Sequence, residues 1–224
     1  FLLLFMEPKK IILVFGPPGS GKDTQGEKIS EKLDIPFVST GEILRQESKK
    51  GDDISKKIKT TLARGKLIPT PLMNRILEKR LNEDDVEEGF VLNGYPREKT
   101  QLEFLKDKVE EWKQGGSVRV LAFYIKVSDE EVQQRLGGRR VCKKCGATYH
   151  VKHKPPQQDE MCDKCGVELV QRDDDKPEVI RERLRDFYDK MDPILTYFRK
   201  NDMLVEINGE QSIQEIGEEM EKKL

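Results

Sequence analysis

A glycine-rich loop carrying a single lysine is the first stretch of this sequence whose residue types and spacing could do chemistry. Residues 11–22 read I-I-L-V-F-G-P-P-G-S-G-K, so five apolar residues lead directly into the loop. Glycines let backbone N–H groups surround a polyphosphate, a following helix N-terminus adds positive potential, and a lysine supplies a mobile charge. The pattern G-x-x-x-x-G-K is complete from Gly16 to Lys22, and it predicts a nucleotide phosphate site between a strand and a helix.

All four cysteines fall into two short pairs. Sixteen residues separate the pairs, each pair is followed by a glycine, and the spacing is Cys142-x-x-Cys145 and Cys162-x-x-Cys165. Because each C-x-x-C turn holds two sulfurs toward one point, the two turns predict a tetrahedral four-thiolate site for Zn²⁺. Disulfides are the alternative, and iron in place of zinc is chemically possible. Four thiolates leave no open position on the ion, so we expect a structural metal that holds together a segment without its own core.

Length and charge bound what these two motifs can belong to. The 224 residues suffice for one large core, and 41 basic against 42 acidic residues give a net charge of -1. Such a balance provides no general attraction to nucleic acid or to an anionic membrane. The apolar residues 1–5 are too few to span a bilayer and lack a basic leader, so we expect Met6 to be the natural start of a cytoplasmic protein.

The rest of the chain alternates between strand-like and helix-like segments, and these must position the two motifs. Apolar runs predict strands at 11–15, 35–38, 89–92, 118–127 and 203–207. Helical periodicity predicts helices at 20–33, 69–81, 98–112, 177–199 and 213–224. Ser128 and Glu131 predict a capping box that starts another helix, ending near residue 136. The pattern favours an α/β fold, a doubly wound five-stranded parallel sheet with helices on both faces.

Two segments do not resemble sheet-covering elements. Residues 39–68 are polar, helical and broken at Gly51 and Gly65, which indicates a small inserted lobe. Residues 137–175, here called the cysteine segment, contain all four cysteines and are predicted to be irregular, with Gly137 and Gly138 as a hinge. The remaining residues 6–38, 69–136 and 176–224 would then form the core.

A phosphate loop and a cysteine segment on one chain are compatible with two classes of protein. One is a phosphotransferase with a mobile lid, and the other is an ATP-driven nucleic-acid protein with a zinc ribbon. The second class needs an acidic residue at the end of a buried strand to hold Mg²⁺ and activate water, but Asn93 and Ser128 stand at the relevant strand ends. The cysteine segment also mixes basic and acidic residues, so we predict a phosphotransferase and no nucleic-acid partner.

Six short motifs, of which the glycine-rich loop is the first, occur in a fixed order and indicate the class of protein more closely. They are G-P-P-G-S-G-K-D-T-Q, S-T-G-E-I-L-R, G-K-L-I-P, L-N-G-Y-P-R with a glutamine four residues on, G-R-R-V-C, and Q-R-D-D-D with R-E-R-L. Together they resemble the adenylate kinase family, in its long-lid form with a four-cysteine zinc site, from about residue 10 to the C-terminus. The resemblance implies reversible transfer of the ATP γ-phosphoryl to AMP to give two ADP, with Mg²⁺ as cofactor and a structural Zn²⁺. It also implies an AMP-binding lobe of 39–68 and a zinc-binding lid of 137–175 on a P-loop core, and we expect a monomer.

The resemblance assigns roles to individual residues of this chain. ATP would be bound by Gly16, Gly19, Ser20, Gly21, Lys22, Asp23, Thr24, Arg135, Arg139 and Tyr149. AMP would be bound by Thr40, Arg45, Lys66, Ile68, Gly94, Arg97, Gln101, Arg172 and Arg183, with Gln101 reading the adenine. The catalytic set would be Lys22, Arg97, Arg139, Arg172 and Arg183, oriented by Asp174 and Asp175. These cations offset the repulsion between two polyphosphates, and no residue need act as a nucleophile because an AMP phosphate oxygen attacks directly.

Two positions depart from the pattern of the family. Asn93 stands where an aspartate is usual, and Asp23 stands where a glycine is usual. We hypothesise that Asp23 partly replaces the missing acid in organising Mg²⁺, and the alternative is that Asp23 simply faces solvent. A kinase for another nucleoside monophosphate, GTP as the donor, and an inactive regulatory nucleotide-binding relative remain open as alternative functions.

Overall fold

The fold is a parallel sheet covered by helices, in a computed structural model that describes residues 7–224. The apolar segment 1–5 and the predicted start at Met6 therefore lie outside the described residues. The five parallel strands are β1 (Lys9–Phe15), β2 (Phe37–Ser39), β3 (Gly89–Asn93), β4 (Val118–Lys126) and β8 (Leu204–Asn208). They lie in the order β2-β3-β1-β4-β8, which confirms the predicted fold class and places β1 at the centre.

Eight α-helices connect and cover the strands within the described part of the chain. They are α1 (Lys22–Leu33), α2 (Thr40–Glu47), α3 (Asp53–Ala63), α4 (Thr70–Leu81), α5 (Lys99–Gly115), α6 (Asp129–Gly137), α7 (Pro177–Lys200) and α8 (Ile213–Glu221). The predicted breaks at Gly51 and Gly65 fall between α2 and α3 and between α3 and α4. Among the helices of residues 7–224, none combines the length and the apolar character needed to cross a bilayer.

The central strand explains why the sheet is covered on both faces. Its side chains alternate, so that Ile11 and Leu13 pack with α4, α5 and the C-terminal half of α7. Ile12 and Val14 point the other way and pack with α1, α6 and α8. All four are at most 3% exposed, and burial of such side chains stabilises a fold by about 1.5–3 kcal/mol each. The continuous apolar run of β1 is therefore a requirement of a strand with two buried faces.

The parallel arrangement brings the chemically interesting residues to one edge of the sheet. Val14 pairs with Asn93 in the β1–β3 register, and Ser39 pairs with Asn93 in the β2–β3 register. The loop after β1, the start of α2 after β2 and the turn after β3 consequently meet at the carboxyl ends of the strands. In open α/β sheets this edge is where ligands bind.

The cysteine segment is not irregular throughout, as the sequence-based expectation had it, although most of its residues lie in turns and loops. It contains a small antiparallel sheet of β5 (Arg139–Cys142), β6 (Thr148–His150) and β7 (Leu169–Val170), in the order β6-β5-β7. The strands have four, three and two residues. Such short strands offer too few alternating positions for the sequence pattern to reveal them.

The predicted capping box at the start of α6 is also wrong. Ser128 occupies the N-cap position, but its side chain accepts no hydrogen bond from the helix. Its backbone N–H donates instead to the Glu210 carboxylate at 2.8 Å, and the Glu131 carboxylate accepts from Arg135 at 2.6 Å. A residue distant in sequence and a residue of the same helix have therefore taken the two groups that a capping box would use. A capping box does form at α8, between Ser212 and Glu215.

Candidate active site

The loop between β1 and α1 has the backbone of a phosphate-binding turn. Gly19 and Gly21 have φ values of +79° and +88°, in the left-handed region that side chains with a Cβ atom disfavour. A Cβ atom on Gly16 would lie only 2.4 Å from Ser20 Oγ, so the loop closes tightly on itself. Gly21 is also the N-cap of α1 and offers no side-chain cap. The first N–H groups of this helix are therefore suited to an anionic ligand.

Lys22 lies at the centre of the positive charge in this loop. Its Nζ donates to the Pro17 carbonyl oxygen at 3.1 Å, so the side chain folds back over the loop. Burial lowers the pKa of Lys22 to about 7, nearby Asp23 opposes this shift, and the surrounding arginine charges, beginning with Arg97 and Arg183, add to it. A lysine that is buried among arginine charges in this way is suited to an anionic ligand.

Five arginines from separate elements converge on the same region. Burial lowers the pKa of Arg97 and of Arg172 to about 10, and it lowers the pKa of Arg183 as well. The charges of Arg45 and Arg183 contribute to the shift at Arg97, and those of Arg139 and Arg45 contribute to the shift at Arg172. Like charges that perturb one another must be close together, so the structure brings the predicted arginine set to one place.

Carboxylates and carbonyls fix the planes of these guanidinium groups. Arg139 makes two parallel hydrogen bonds to Asp175, at 2.8 and 2.5 Å, and Asp175 is completely buried. Arg183 pairs with the Asp174 carboxylate at 2.8 Å. Arg97 Nε donates to the Gly94 carbonyl oxygen at 2.8 Å. Bidentate pairing of this kind fixes orientation as well as charge.

The turn after β3 links four of the residues expected to bind AMP. Thr40 Oγ1 donates to the carbonyl oxygens of Asn93 and Gly94 at 3.1 and 3.0 Å. Gly94 has a φ of +79°, and a Cβ atom there would lie 2.7 Å from Thr40 Oγ1. The buried Gln101 side chain accepts a hydrogen bond from the Arg97 backbone N–H at 2.7 Å. Thr40, Gly94, Arg97 and Gln101 therefore form one rigid cluster.

Other predicted site residues lie at the margin of this cluster. Lys66 is exposed and pairs with Glu182 at 3.0 Å, whereas Ile68 is buried in the apolar core. Thr24 is exposed on the first turn of α1. Arg45 is exposed on the last turn of α2, and its charge reaches the arginine cluster from there.

Arg135 and Tyr149, both expected to contact ATP, have different surroundings. Arg135 donates to the Gly209 carbonyl oxygen at 2.7 Å and approaches the Ser20 carbonyl oxygen at 3.5 Å, so it lies beside the phosphate loop. Tyr149 is buried in the cysteine segment, where its hydroxyl lies 3.5 Å from Cys162 Sγ. Tyr149 therefore belongs to the small core around the cysteines, whereas Arg135 lies next to the phosphate loop.

An open cleft connects the loop, the turn after β3 and α7. Its volume is about 620 Å³ with the open mouth included, and its walls include Lys22, Arg97 and Arg183. Gly65 also lines this cleft, although it was not among the site residues predicted from the sequence. A Cβ atom on Gly65 would lie 2.9 Å from Val179 and 3.1 Å from Arg183, so only glycine allows this approach. Its signal in the sequence was the glycine that opens the G-K-L-I-P motif.

The four cysteines form a compact cluster. Their Sγ atoms all lie within 4.8 Å of one another, with individual separations of 3.3, 3.6 and 3.7 Å. Zn–S bonds of about 2.3 Å in a tetrahedron place sulfurs about 3.8 Å apart, so the cluster has the size of a zinc site. Gly146 and Gly166 have φ values of +77° and +60°, and their N–H groups close the two turns onto the carbonyls of Cys142 and Cys162.

The thiols of the cluster differ in acidity because they have different hydrogen-bond partners. The Tyr149 hydroxyl lowers the pKa of Cys162, and the Cys145 backbone N–H lowers the pKa of Cys142. The neighbouring Cys142 sulfur, by contrast, raises the pKa of Cys165. Four thiolates at this distance repel one another, and a divalent metal allows all of them to be deprotonated. The residues therefore fit a four-thiolate metal site.

Comparison with known proteins agrees with this geometry. The family model described as Adenylate kinase matches residues 14–203. A protein of Thermoanaerobacter sp. (strain X514) named Adenylate kinase is 42% identical over 217 residues, covering 95% of this chain and 97% of the relative. Relatives of the same name from Thermotoga neapolitana and Archaeoglobus fulgidus are 43% and 40% identical, and each alignment covers 94% of this chain and 95% of the relative. The chain therefore belongs to the adenylate kinase family.

Proposed function

We propose that this chain catalyses reversible transfer of the γ-phosphoryl group of Mg-ATP to AMP, giving two ADP. The observation that carries the proposal is the convergence of a phosphate loop with Lys22 and a set of buried arginines on one open cleft. Two polyphosphates can approach in line only where their mutual repulsion is offset, and this cluster of cations provides that offset.

The donor half of the site is the loop from Gly16 to Thr24. Its backbone N–H groups and the uncapped start of α1 bind the ATP phosphates, and Lys22 contributes a charge that the bound phosphates restore. Arg135 lies beside the loop, held by Glu131 and the Gly209 carbonyl, and covers the adenine face. Bound Mg²⁺ neutralises part of the charge on the β- and γ-phosphates.

The acceptor half is the cluster around the turn after β3. Arg97 and Arg45 hold the AMP phosphate, with Thr40 and Gly94 fixing the shape of the turn. Gln101 reads the adenine, with the segment around Lys66 and Ile68 as the opposite wall. The hydrogen bond from the Arg97 N–H already fixes the Gln101 side-chain oxygen, and this leaves its NH₂ group to donate to the base.

Arg139, Arg172 and Arg183 stabilise the transferring group between the two halves. An AMP phosphate oxygen forms a bond to the γ-phosphorus while the bond from that phosphorus to the β–γ bridging oxygen breaks, so ADP leaves as the second ADP forms. The protein contributes positioning and charge, and no covalent enzyme intermediate is needed. Asp174 and Asp175 keep Arg183 and Arg139 aligned for this role.

Two segments close over the nucleotides in this proposal. Residues 39–68 form the AMP-binding lobe, residues 137–175 form the lid, and the remaining residues form the core. Closure excludes water from the phosphoryl group, which would otherwise be hydrolysed. Gly138, which follows α6, is the hinge together with Gly137.

Zn²⁺ bound by Cys142, Cys145, Cys162 and Cys165 keeps the lid rigid, and metal analysis of purified protein would distinguish it from iron. We further propose that the protein is cytoplasmic, on the basis of its clustered free cysteines, and monomeric, because the exposed large apolar side chains of residues 7–224 belong to separate elements.

The decisive experiment is a panel of nucleotides with purified protein and Mg²⁺. ATP is paired with AMP, UMP, CMP and GMP, and GTP is paired with AMP, while diphosphate formation is followed by chromatography. We expect rapid formation of ADP from ATP and AMP and much slower reaction with the other pairs. Absence of ADP from ATP plus AMP would overturn the proposal and favour a regulatory nucleotide-binding role.

A further inference from the structure

An unusual polar pair lies beside the phosphate loop. Asn93, the last residue of β3, is only 3% exposed, and its Nδ2 donates to Asp23 Oδ1 at 2.7 Å. The other polar atom of the same side chain, Asn93 Oδ1, is buried without a hydrogen-bond partner among the described residues. A buried acceptor without a partner costs about 1–3 kcal/mol, so its retention here needs an explanation.

The fold holds this pair next to the proposed phosphate loop. Asn93 pairs with Val14 in the sheet, two residues before Gly16, and its carbonyl oxygen accepts from Thr40 Oγ1 at 3.1 Å. Asp23 belongs to the first turn of α1, immediately after Lys22. The two side chains therefore bridge the central edge of the sheet and the helix that follows the phosphate loop.

Asp23 differs from the other acids near the cationic cluster. Asp174 and Asp175 are engaged by Arg183 and Arg139. Asp23 makes its hydrogen bond to Asn93, which carries no charge, and within residues 7–224 its second carboxylate oxygen accepts no hydrogen bond. The negative charge of Asp23 is nevertheless close enough to raise the pKa of Lys22 and of Arg97 against the effect of burial. Asp23 is exposed, and within residues 7–224 no lysine or arginine forms an ion pair with its carboxylate, so a bound cation can approach it.

We infer that Asp23 and Asn93 act as one unit that positions the divalent cation of the metal–nucleotide complex. Asp23 supplies the negative charge, and Asn93 supplies Oδ1 as an acceptor for a water of the metal's hydration shell. The donor set fits Mg²⁺, which retains several waters and binds proteins through one or two carboxylates together with substrate phosphates. The inference rests on the proposed function, and it adds the two residues of this chain that replace the usual arrangement of an acid at position 93.

The hydrogen bond between the two residues suggests a test in which the carboxylate is removed, added or exchanged between the two positions. The variants are Asp23→Asn, Asn93→Asp and the exchange Asp23→Asn/Asn93→Asp, and Glu31→Gln, an exposed acid on α1, is the matched control for lost charge. Mn²⁺ is the probe, and its affinity for each protein saturated with ADP is measured by electron paramagnetic resonance. Binding of ADP to each protein in EDTA is measured by calorimetry.

We expect Asp23→Asn to weaken Mn²⁺ binding by about 10- to 100-fold, the range for groups that orient a metal's ligands, with ADP binding in EDTA changed by less than about threefold. The exchange should recover most of the affinity, and Asn93→Asp alone should bind Mn²⁺ more tightly than the parent because it adds a second carboxylate. Glu31→Gln should match the parent.

Three outcomes would overturn the inference. They are unchanged Mn²⁺ affinity in Asp23→Asn, a loss of affinity that the exchange does not recover, and, if Asp23→Asn fails to fold, unchanged affinity in Asn93→Asp. A purely structural role would change melting temperatures and leave Mn²⁺ affinity unaltered. Failure of the parent protein to bind ADP in EDTA would instead contradict the proposed function, so the two failures are distinguishable.

Discussion

The central sheet and the cysteine segment are held together by different physics. In the sheet, β1 contributes side chains to two large apolar clusters, and most of those cluster residues are nearly inaccessible to solvent. The cysteine segment has a third cluster of only four buried residues, Cys142, Tyr149, Cys162 and Leu169. Two of these four are proposed metal ligands. The sheet is therefore stabilised by burial of apolar surface, whereas the cysteine segment has too small a core for this and would depend on the proposed metal cross-link.

This difference matters because the proposed catalytic cations are divided between the two regions. Lys22, Arg97 and Arg183 belong to elements packed on the sheet, and Arg139 and Arg172 belong to the cysteine segment. The sheet can hold its share of the site without a metal. The cysteine segment can present its arginines in a fixed geometry only while its own small core is intact.

The largest expected effect is a loss of activity in the sheet region without a loss of stability. We expect Lys22→Met to lower turnover by about 10²- to 10³-fold, as loss of one preorganised charge in an active site does. The melting temperature should not fall, because burial already disfavours the lysine charge in the free protein. Kinetic assay and calorimetry test both expectations. Lys28→Met, at an exposed position on α1, is the control, and turnover of Lys22→Met within threefold of the parent would contradict the assignment.

Loss of a metal ligand should have the opposite signature in the cysteine segment. We expect Cys142→Ser, or removal of zinc by a chelator, to lower the melting temperature by about 5–10 °C, because a loss of 2–3 kcal/mol shifts a domain of this size by that amount. Turnover at moderate temperature should change little by comparison with the melting temperature. The control is Lys143→Ser, at an exposed position beside the first ligand. A demetallated protein that keeps its melting temperature would exclude a structural metal.

The junction of the two regions offers a smaller effect. Asp175 is completely buried and holds Arg139 through two hydrogen bonds, while its neighbour Asp173 is exposed and only 4.0 Å from Lys176. We expect Asp175→Asn to lower turnover by about 10- to 100-fold, because a misoriented group in a transfer site has an effect of that order. Asp173→Asn should leave turnover unchanged. Equal activities of the two variants in a steady-state assay would show that Asp175 does not position Arg139.

The smallest expected effect is the uptake of a fraction of a proton when the nucleotide binds. With the pKa of Lys22 lowered to about 7 by burial, the free folded protein at pH 8 holds this lysine mostly neutral, and bound phosphates favour the charged form. ATP binding should therefore take up a fraction of a proton near pH 8. Titration calorimetry in two buffers of different ionisation enthalpy measures the uptake, which Lys22→Met should abolish. Identical heats in both buffers for the parent would contradict the lowered pKa.

The same shift predicts how stability of the free protein depends on pH. Between pH 7 and the ordinary lysine pKa, the unfolded chain holds one more proton at this position than the folded protein does. Stability should consequently rise with pH over that range relative to Lys22→Met, and the Lys22 contribution should be constant below it. Chemical denaturation of both proteins at several pH values measures the difference.

The short-range parts of the fold could be predicted from the sequence because they depend on neighbouring residues. The apolar run 11–15, the glycine loop and the two C-x-x-C turns each need only a few adjacent side chains, and all three occur as predicted. The capping box at Ser128 failed because a residue 82 positions away, Glu210, binds its N–H. The strands of the cysteine segment were missed because strands of two to four residues are too short to show an alternating pattern.

Sequence patterns alone were enough to predict the five parallel strands, the phosphate loop, the paired cysteines and the family. Those features follow from residue type and local spacing, which the chain carries in any conformation. Three other features depend on the tertiary structure: Asn93 donates to Asp23, Asp175 holds Arg139, and Tyr149 packs on the cysteine cluster. Asn93 and Asp23 are 70 positions apart, and no local pattern fixes the distance between them. The packing of α1 and β3 on a shared core fixes that distance, and with it the position of the Asp23 carboxylate beside the phosphate loop.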